Sequence, residues 1–185
     1  AFSNCSSLTG NVIVPENIES LPGAFSGCSS LNGSIIFNDK LKNIGGYAFN
    51  GCSGLKGELK FPEGLNQIGT SAFSGCSGIT GKVTLSGKLG KISEKAFSNT
   101  GIEEVEVQDG IETIGNDAFS VCKKLEKVVI ADSVNTLGKR TFEYCTSLKE
   151  ISLPVSTSYE TYWDWSWSDR HNSYNATFEG VGAEK

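Results

Sequence analysis

Six cysteines, one histidine and three tryptophans are the residues of this 185-residue chain whose types could do chemistry. The cysteines stand at Cys5, Cys28, Cys52, Cys76, Cys122 and Cys145. So many thiols suggest a disulfide framework or a metal site. The spacing supports neither. There is no CxxC pair, and no histidine lies nearby to complete a coordination set. Each cysteine follows a phenylalanine by three residues, as in "AFSGCSSL" from Ala24 and "AFNGCSGL" from Ala48. Stacked in register, such thiols have parallel Cβ vectors about 4.8 Å apart, whereas a disulfide needs Cβ atoms about 3.8 Å apart and turned toward each other. All six cysteines are therefore expected to be reduced, inward-facing and packed as small hydrophobes.

The lone His171 lies in "SDRHNS" beside Ser168 and Asp169, which are triad residue types. A triad needs its members to converge from a rigid scaffold, and neighbours on one loop do not. No G-x-S-x-G elbow or metal-binding histidine pair accompanies it, and no glycine-rich phosphate loop follows a strand. The sequence predicts no catalytic residue, no metal and no cofactor. The sequons at Asn4 and Asn32 fall in repeat turns and read as turn residues, and a third stands at Asn175.

The elements that position these residues repeat. Phe2, Phe25, Phe49, Phe73, Phe97, Phe119 and Phe142 recur at intervals of 22 to 24 residues. A fixed period of this length marks a solenoid. After each cysteine position, where Thr100 replaces one thiol, comes Leu8, Leu31, Leu55, Ile79, Ile102, Leu125 or Leu148, and then an alternating segment such as "KVTL", "EVEV" or "KVVI". Alternation with β-branched residues predicts one short strand per repeat. A second apolar pair follows, such as Leu41 with Ile44 or Ile111 with Ile114. One unit cannot bury these positions alone, so units must stack with parallel strands about 4.8 Å apart and align their side chains in columns. Small alanines before each phenylalanine let coils approach, and Gly27, Gly51 and Gly75 permit the turn that follows. Gly10, Gly33, Gly57 and Gly81 are extra residues expected to bulge the start of the strand. Thr100 can hold the thiol column if its hydroxyl finds a backbone partner.

The consensus of strand, "LP", apolar-x-x-"IG" and "AFxxCxxL" resembles the BspA-like, or treponemal-type, leucine-rich repeats over residues 1–154. The resemblance implies a leucine-rich-repeat right-handed superhelix, with a parallel strand in each repeat and short strands or 3-10 turns on the convex side. It also implies a non-enzymatic protein, secreted or displayed at a cell surface, that adheres to a host or neighbouring-cell surface or matrix protein. Any signal or anchor would lie outside these residues.

Residues 155–185 depart from the pattern and read as an aromatic-rich insertion with a partial eighth repeat. In "WDWSW", Trp163, Trp165 and Trp167 alternate with Asp164 and Ser166, so an extended backbone puts the indoles on one face. With Tyr159, Tyr162 and Tyr174 they form either a cap over the last coil or a recognition surface for a protein or a glycan. On the strands, the outward positions are Ile13, Ile36, Lys60, Thr84, Glu106, Val129 and Ser152. This mixed column suits a broad protein contact better than a small-molecule pocket. A net charge of -5 with scattered lysines argues against nucleic acid, and no apolar run is long enough to span a membrane. Three functions follow: a macromolecule-binding scaffold, a carbohydrate-binding module using the tryptophans, or a spacer holding other domains.

Overall fold

The computed structural model describes residues 2–154 and 158–159. Taking each phenylalanine as the start of a coil, coil 1 carries β1 (Val12–Ile13) and β2 (Ser20–Leu21), and coil 2 carries β3 (Ile35–Ile36) and β4 (Asn43–Ile44). Coil 3 has β5 (Gln67–Ile68) alone. Coil 4 holds β6 (Lys82–Leu85), a 3-10 turn over Gly87–Leu89 and β7 (Lys91–Ile92). Coils 5 and 6 carry β8 (Glu104–Val107), β9 (Thr113–Ile114), β10 (Lys127–Ile130) and β11 (Thr136–Leu137). Coil 7 carries β12 (Glu150–Ser152) and β13 (Ser158–Tyr159).

The result is a parallel β-solenoid almost without helix, as the period predicts. Every strand pairs only with the equivalent strand of an adjacent coil, so there are two ladder systems rather than one. The first runs β1-β3 and then, after a gap, β6-β8-β10-β12. The second runs β2-β4-β5 and then β7-β9-β11-β13, so its last rung lies beyond residue 154. Alternation sets the facing: Val83, Leu85, Val105 and Val107 are buried, while Lys82 and Thr84 are exposed.

The phenylalanine turns form a third column, and it has no gap. Phe2, Phe25, Phe49, Phe73, Phe97, Phe119 and Phe142 stack with centroids 5.4 to 5.7 Å apart and planes within 13° of parallel. Their backbones bond between coils too: Phe49 N–H donates to the Ala72 carbonyl at 2.8 Å, and Phe73 N–H to that of Ala96 at 2.9 Å. The second residue after every phenylalanine is left-handed, at Asn4, Gly27, Gly51, Gly75, Asn99, Val121 and Tyr144. Glycine adopts this conformation freely and asparagine tolerates it, whereas β-branched Val121 at φ 61° is strained.

Five cysteines are buried and none of the six is in a disulfide. Each buried thiol donates to the phenylalanine carbonyl one coil earlier: Cys28 to Phe2, Cys52 to Phe25, Cys76 to Phe49, Cys122 to Phe97 and Cys145 to Phe119, at 2.9 to 3.1 Å. Thr100 keeps the column by donating to the Phe97 carbonyl at 2.9 Å, which meets the expectation for its hydroxyl. Burial pushes the Cys52 thiol up to about 11 and raises that of Cys76 further, so both stay protonated and unreactive.

Three expectations need correction. Cys5 is exposed, because the described residues hold no earlier coil to receive its thiol. Glu58–Phe61 form no strand and make no backbone ladder to either neighbour. Of the four glycines expected to bulge the start of the strand, Gly33 is not left-handed, whereas Gly10, Gly57 and Gly81 are.

Candidate functional site

The outward positions of the first ladder form one file across the coils. Ile13 pairs in register with Ile36, and Thr84, Glu106, Val129 and Ser152 follow one another from β6 to β12. Ile13 is 66% exposed, Ile36 48% and Val129 38%. These are large aliphatic side chains held in water by a rigid backbone. Glu106 is half-buried because the Lys82 ammonium reaches across the ladder to it at 2.5 Å. That hydrogen bond holds the Glu106 carboxyl below its usual range and raises Lys82. Lys127 pairs with Glu150 at 2.8 Å in the same way. In the second half of the solenoid the face is thus sealed by ion pairs between coils.

Lys60 differs. It is exposed, lies in the ladder gap and has no ion-pair partner among the described residues. The gap coincides with a change of side chain. Where the other first-ladder segments end in Val14, Leu85, Val107 or Ile130, coils 2 and 3 end in Phe37 and Phe61. These rings lie 5.6 Å apart, and Phe61 reaches on to Phe73 at 5.8 Å and Phe97 at 6.3 Å. At this coil the Glu58–Phe61 backbone pairs with neither neighbouring strand. A depression of about 640 Å³ opens there, with Leu59, Phe61 and Leu89 on its floor and Lys60, Lys82 and Lys88 at its rim.

A sequence model for the BspA-type leucine-rich repeat region matches residues 1–125 and 55–168, with six copies. The chain belongs to the BspA-type leucine-rich repeat family. Among solved structures, this BspA-type chain is similar to a leucine-rich cell surface protein from Faecalibacterium prausnitzii A2-165, at 21% identity and a TM-score of 0.45, covering 87% of this chain and 62% of that one. It is also similar to a leucine-rich repeat protein from Bacteroides ovatus ATCC 8483, at 20% identity and a TM-score of 0.31, covering 86% and 76%. The BspA-type chain thus spans less than two thirds of the first of these proteins. No curated protein matches it.

Of the site residues expected from sequence, Ile13, Ile36, Lys60, Glu106 and Val129 fall on this one face of the BspA-type solenoid, with Lys60 set apart by the gap. The backbone of Tyr159 belongs to the second ladder. Trp163, Trp165, Trp167, Tyr162, Tyr174 and His171 lie outside the described residues. The gap and its depression were not foreseen, although the signal was present as phenylalanine at positions 37 and 61 where other repeats carry aliphatic residues. Among the described residues no helix is long and apolar enough to cross a membrane.

Proposed function

We propose that this BspA-type repeat protein is a non-enzymatic scaffold, secreted or displayed at a cell surface, whose first-ladder face binds another macromolecule. The observation behind this reading is the exposure of Ile13, Ile36 and Val129 in one file. Aliphatic side chains on a pre-ordered backbone gain by being covered and lose little conformational freedom in doing so. The recurring chemistry of the repeat is already used inside: the buried thiols donate to carbonyls and the phenylalanines stack. A partner protein from a host or neighbouring cell surface or matrix fits a broad contact of this kind.

The test is capture of purified matrix and surface proteins by the immobilised chain and by two of its variants, Ile36→Asp and Val129→Asp. At least one variant should lose capture of a ligand that the parent retains, with an unchanged melting temperature. Capture unaffected by both would move the binding surface off this face.

A further inference from the structure

The backbone bonds that join coil 3 to coil 4 are confined to one side of the solenoid. At one end of this seam the Thr80 N–H donates to the Gly57 carbonyl at 3.0 Å, and Gly57 bridges to Ile79. At the other end the Ser71 N–H donates to the Glu94 carbonyl at 3.0 Å, followed by that of Phe73 to Ala96 at 2.9 Å. Between these two points, among the described residues, 58–70 make no backbone bond to 81–93. One interface further on, β6 pairs with β8, β7 pairs with β9, and the Gln108, Glu112 and Gly115 N–H groups donate to the coil before. Between coils 2 and 3 only the first ladder is absent, because β4 still pairs with β5. Among the described coils, the seam is thus the interface that lacks both ladders. Two side-chain bonds cross it instead, from the Lys88 ammonium to the Glu63 carbonyl at 2.9 Å and from the Ser93 hydroxyl to the Ile68 carbonyl at 2.6 Å. Space opens along it on both faces. The 640 Å³ depression lies on the first-ladder side, and one of about 470 Å³ lies on the second-ladder side, lined by Asn66, Gln67, Thr70, Lys91 and Ser93. Leu89 lines both.

We propose that the seam is a hinge, about which coils 1–3 and coils 4–7 bend as two bodies with the phenylalanine turn column as the pivot. A ladder resists any change in the spacing of the strands it joins, so coils paired on both ladders are clamped all the way round. Coils 3 and 4 are clamped at the turn alone. There the Phe73 and Phe97 rings stay stacked at 5.5 Å and the backbone bonds are intact, so this side holds its spacing while the opposite side opens and closes. The contacts that span the open side suit such a motion. Phe61 meets Phe73 and Phe97 tilted and edge-on, and apolar contact of this kind has no fixed direction to break. The bonds from Lys88 and Ser93 each join one side chain to one carbonyl and act as latches. Bending widens or narrows both depressions, and it changes the angle between the Ile13–Ile36 part of the outward file and the part from Thr84 to Ser152. The hinge holds whether or not that face is the binding surface.

The experiment measures distances between pairs of spin labels on the whole chain by pulsed dipolar spectroscopy. Cys5→Ser removes the exposed thiol, and the five buried ones do not take up label. One pair, Asp39→Cys with Asp132→Cys, sits at the corner where the chain passes from the first ladder to the second. The other, Ser29→Cys with Lys123→Cys, sits on the turn side. Each runs from coil 2 to coil 6 across the seam, and all four positions are exposed. Four intervals of about 4.8 Å set either pair about 19 Å apart before the label linkers are added. A bend of about 15° on a lever of about 10 Å moves the corner by about 3 Å, so the corner distribution should be broader than the turn distribution by about that much. Ser93→Ala and Lys88→Met should each broaden the corner distribution further and leave the turn distribution unchanged. Lys88 is exposed, so its variant keeps the comparison valid if Ser93→Ala lowers stability. A corner distribution no broader than that of the turn would overturn the hinge, and equal broadening of both would remove the turn column as its pivot. Indifference of the corner pair to both substitutions would overturn the assignment of the latches.

Discussion

Coils 1–3 and coils 4–7 are built from one consensus yet are held together differently at their surfaces. From coil 4 onward both ladders run unbroken through four strands, whereas ion pairs between coils occur in both halves, as Lys42 with Glu19 and Lys127 with Glu150. Before coil 4 the first ladder ends at coil 2 and the second at coil 3, and both resume in coil 4. At that joint the second ladder is replaced by one side-chain bond, from the Ser93 hydroxyl to the Ile68 carbonyl at 2.6 Å. In coils 2, 3, 5 and 6 that position is glycine, Gly45, Gly69, Gly115 and Gly138, whose N–H donates to the carbonyl one coil earlier. The phenylalanine turn column passes through the joint unchanged, in ring spacing and in backbone bonds. The contrast teaches that the turn column carries coil-to-coil continuity, whereas the ladders shape the surface and can be interrupted where a surface depression is formed.

The largest effect that could break this comparison comes from the rings. Phe73 borders the joint, Phe119 lies within the unbroken half, and both are fully buried between stacked neighbours. Each alanine substitution should cost about 3–5 kcal/mol, and the two should agree to within about 1 kcal/mol in urea unfolding, because each leaves a cavity that stacked coils cannot close. A much cheaper Phe73→Ala would mean that the ladders, not the rings, hold the coils together.

A smaller effect sharpens the role of the turns. Gly51 and Val121 occupy the same left-handed position on either side of the comparison. Gly51→Val should cost about 1–2 kcal/mol, the price of forcing an L side chain into that region. Val121→Gly should raise stability by about 0.5–1 kcal/mol, since relief of strain exceeds the extra freedom glycine gives the unfolded chain. Thermal unfolding of the two variants in parallel reads opposite signs if the turn geometry is common to both halves.

These contrasts also show what was legible in the sequence. The period, the buried Phe, Cys and Leu columns and the outward file from Ile13 to Ser152 follow from alternation and spacing, because a side chain's facing in a stacked repeat is set by its position alone. The exposure of Cys5 was not legible, because it depends on which coil precedes it rather than on its own motif. The ladder gap was missed because the strand pattern "ELKF" is satisfied locally, and the contact of Phe61 with Phe37 of the preceding coil is not visible within one repeat. The left-handed turn at Val121 was hidden by a residue type that rarely adopts it.

The smallest effect concerns pH. Glu106 has its carboxyl lowered from 4.5 by Lys82, so its contribution is present above 4.5 and is lost as pH falls through the lowered folded value. Lys82 is raised from 10.5, so its contribution is complete below that value and is lost as pH rises through the raised one. Glu106→Gln should therefore flatten the acid limb of melting temperature against pH slightly, as expected for an exposed pair. Its counterpart in the other half, Lys60→Gln, should leave that limb unchanged.

Native-state hydrogen exchange across a urea series tests the central claim most directly. The amide protons of Phe49, Phe73, Phe97 and Phe119 all donate to the next coil, and they sample the turn column on both sides of the joint. If the column carries continuity, all four should merge into one global opening with a common free energy and a common dependence on urea. A lower-energy opening in which Phe49 exchanges with coils 1–3 while Phe97 and Phe119 stay protected would contradict the account, because the break in the ladders would then also be a break in the fold.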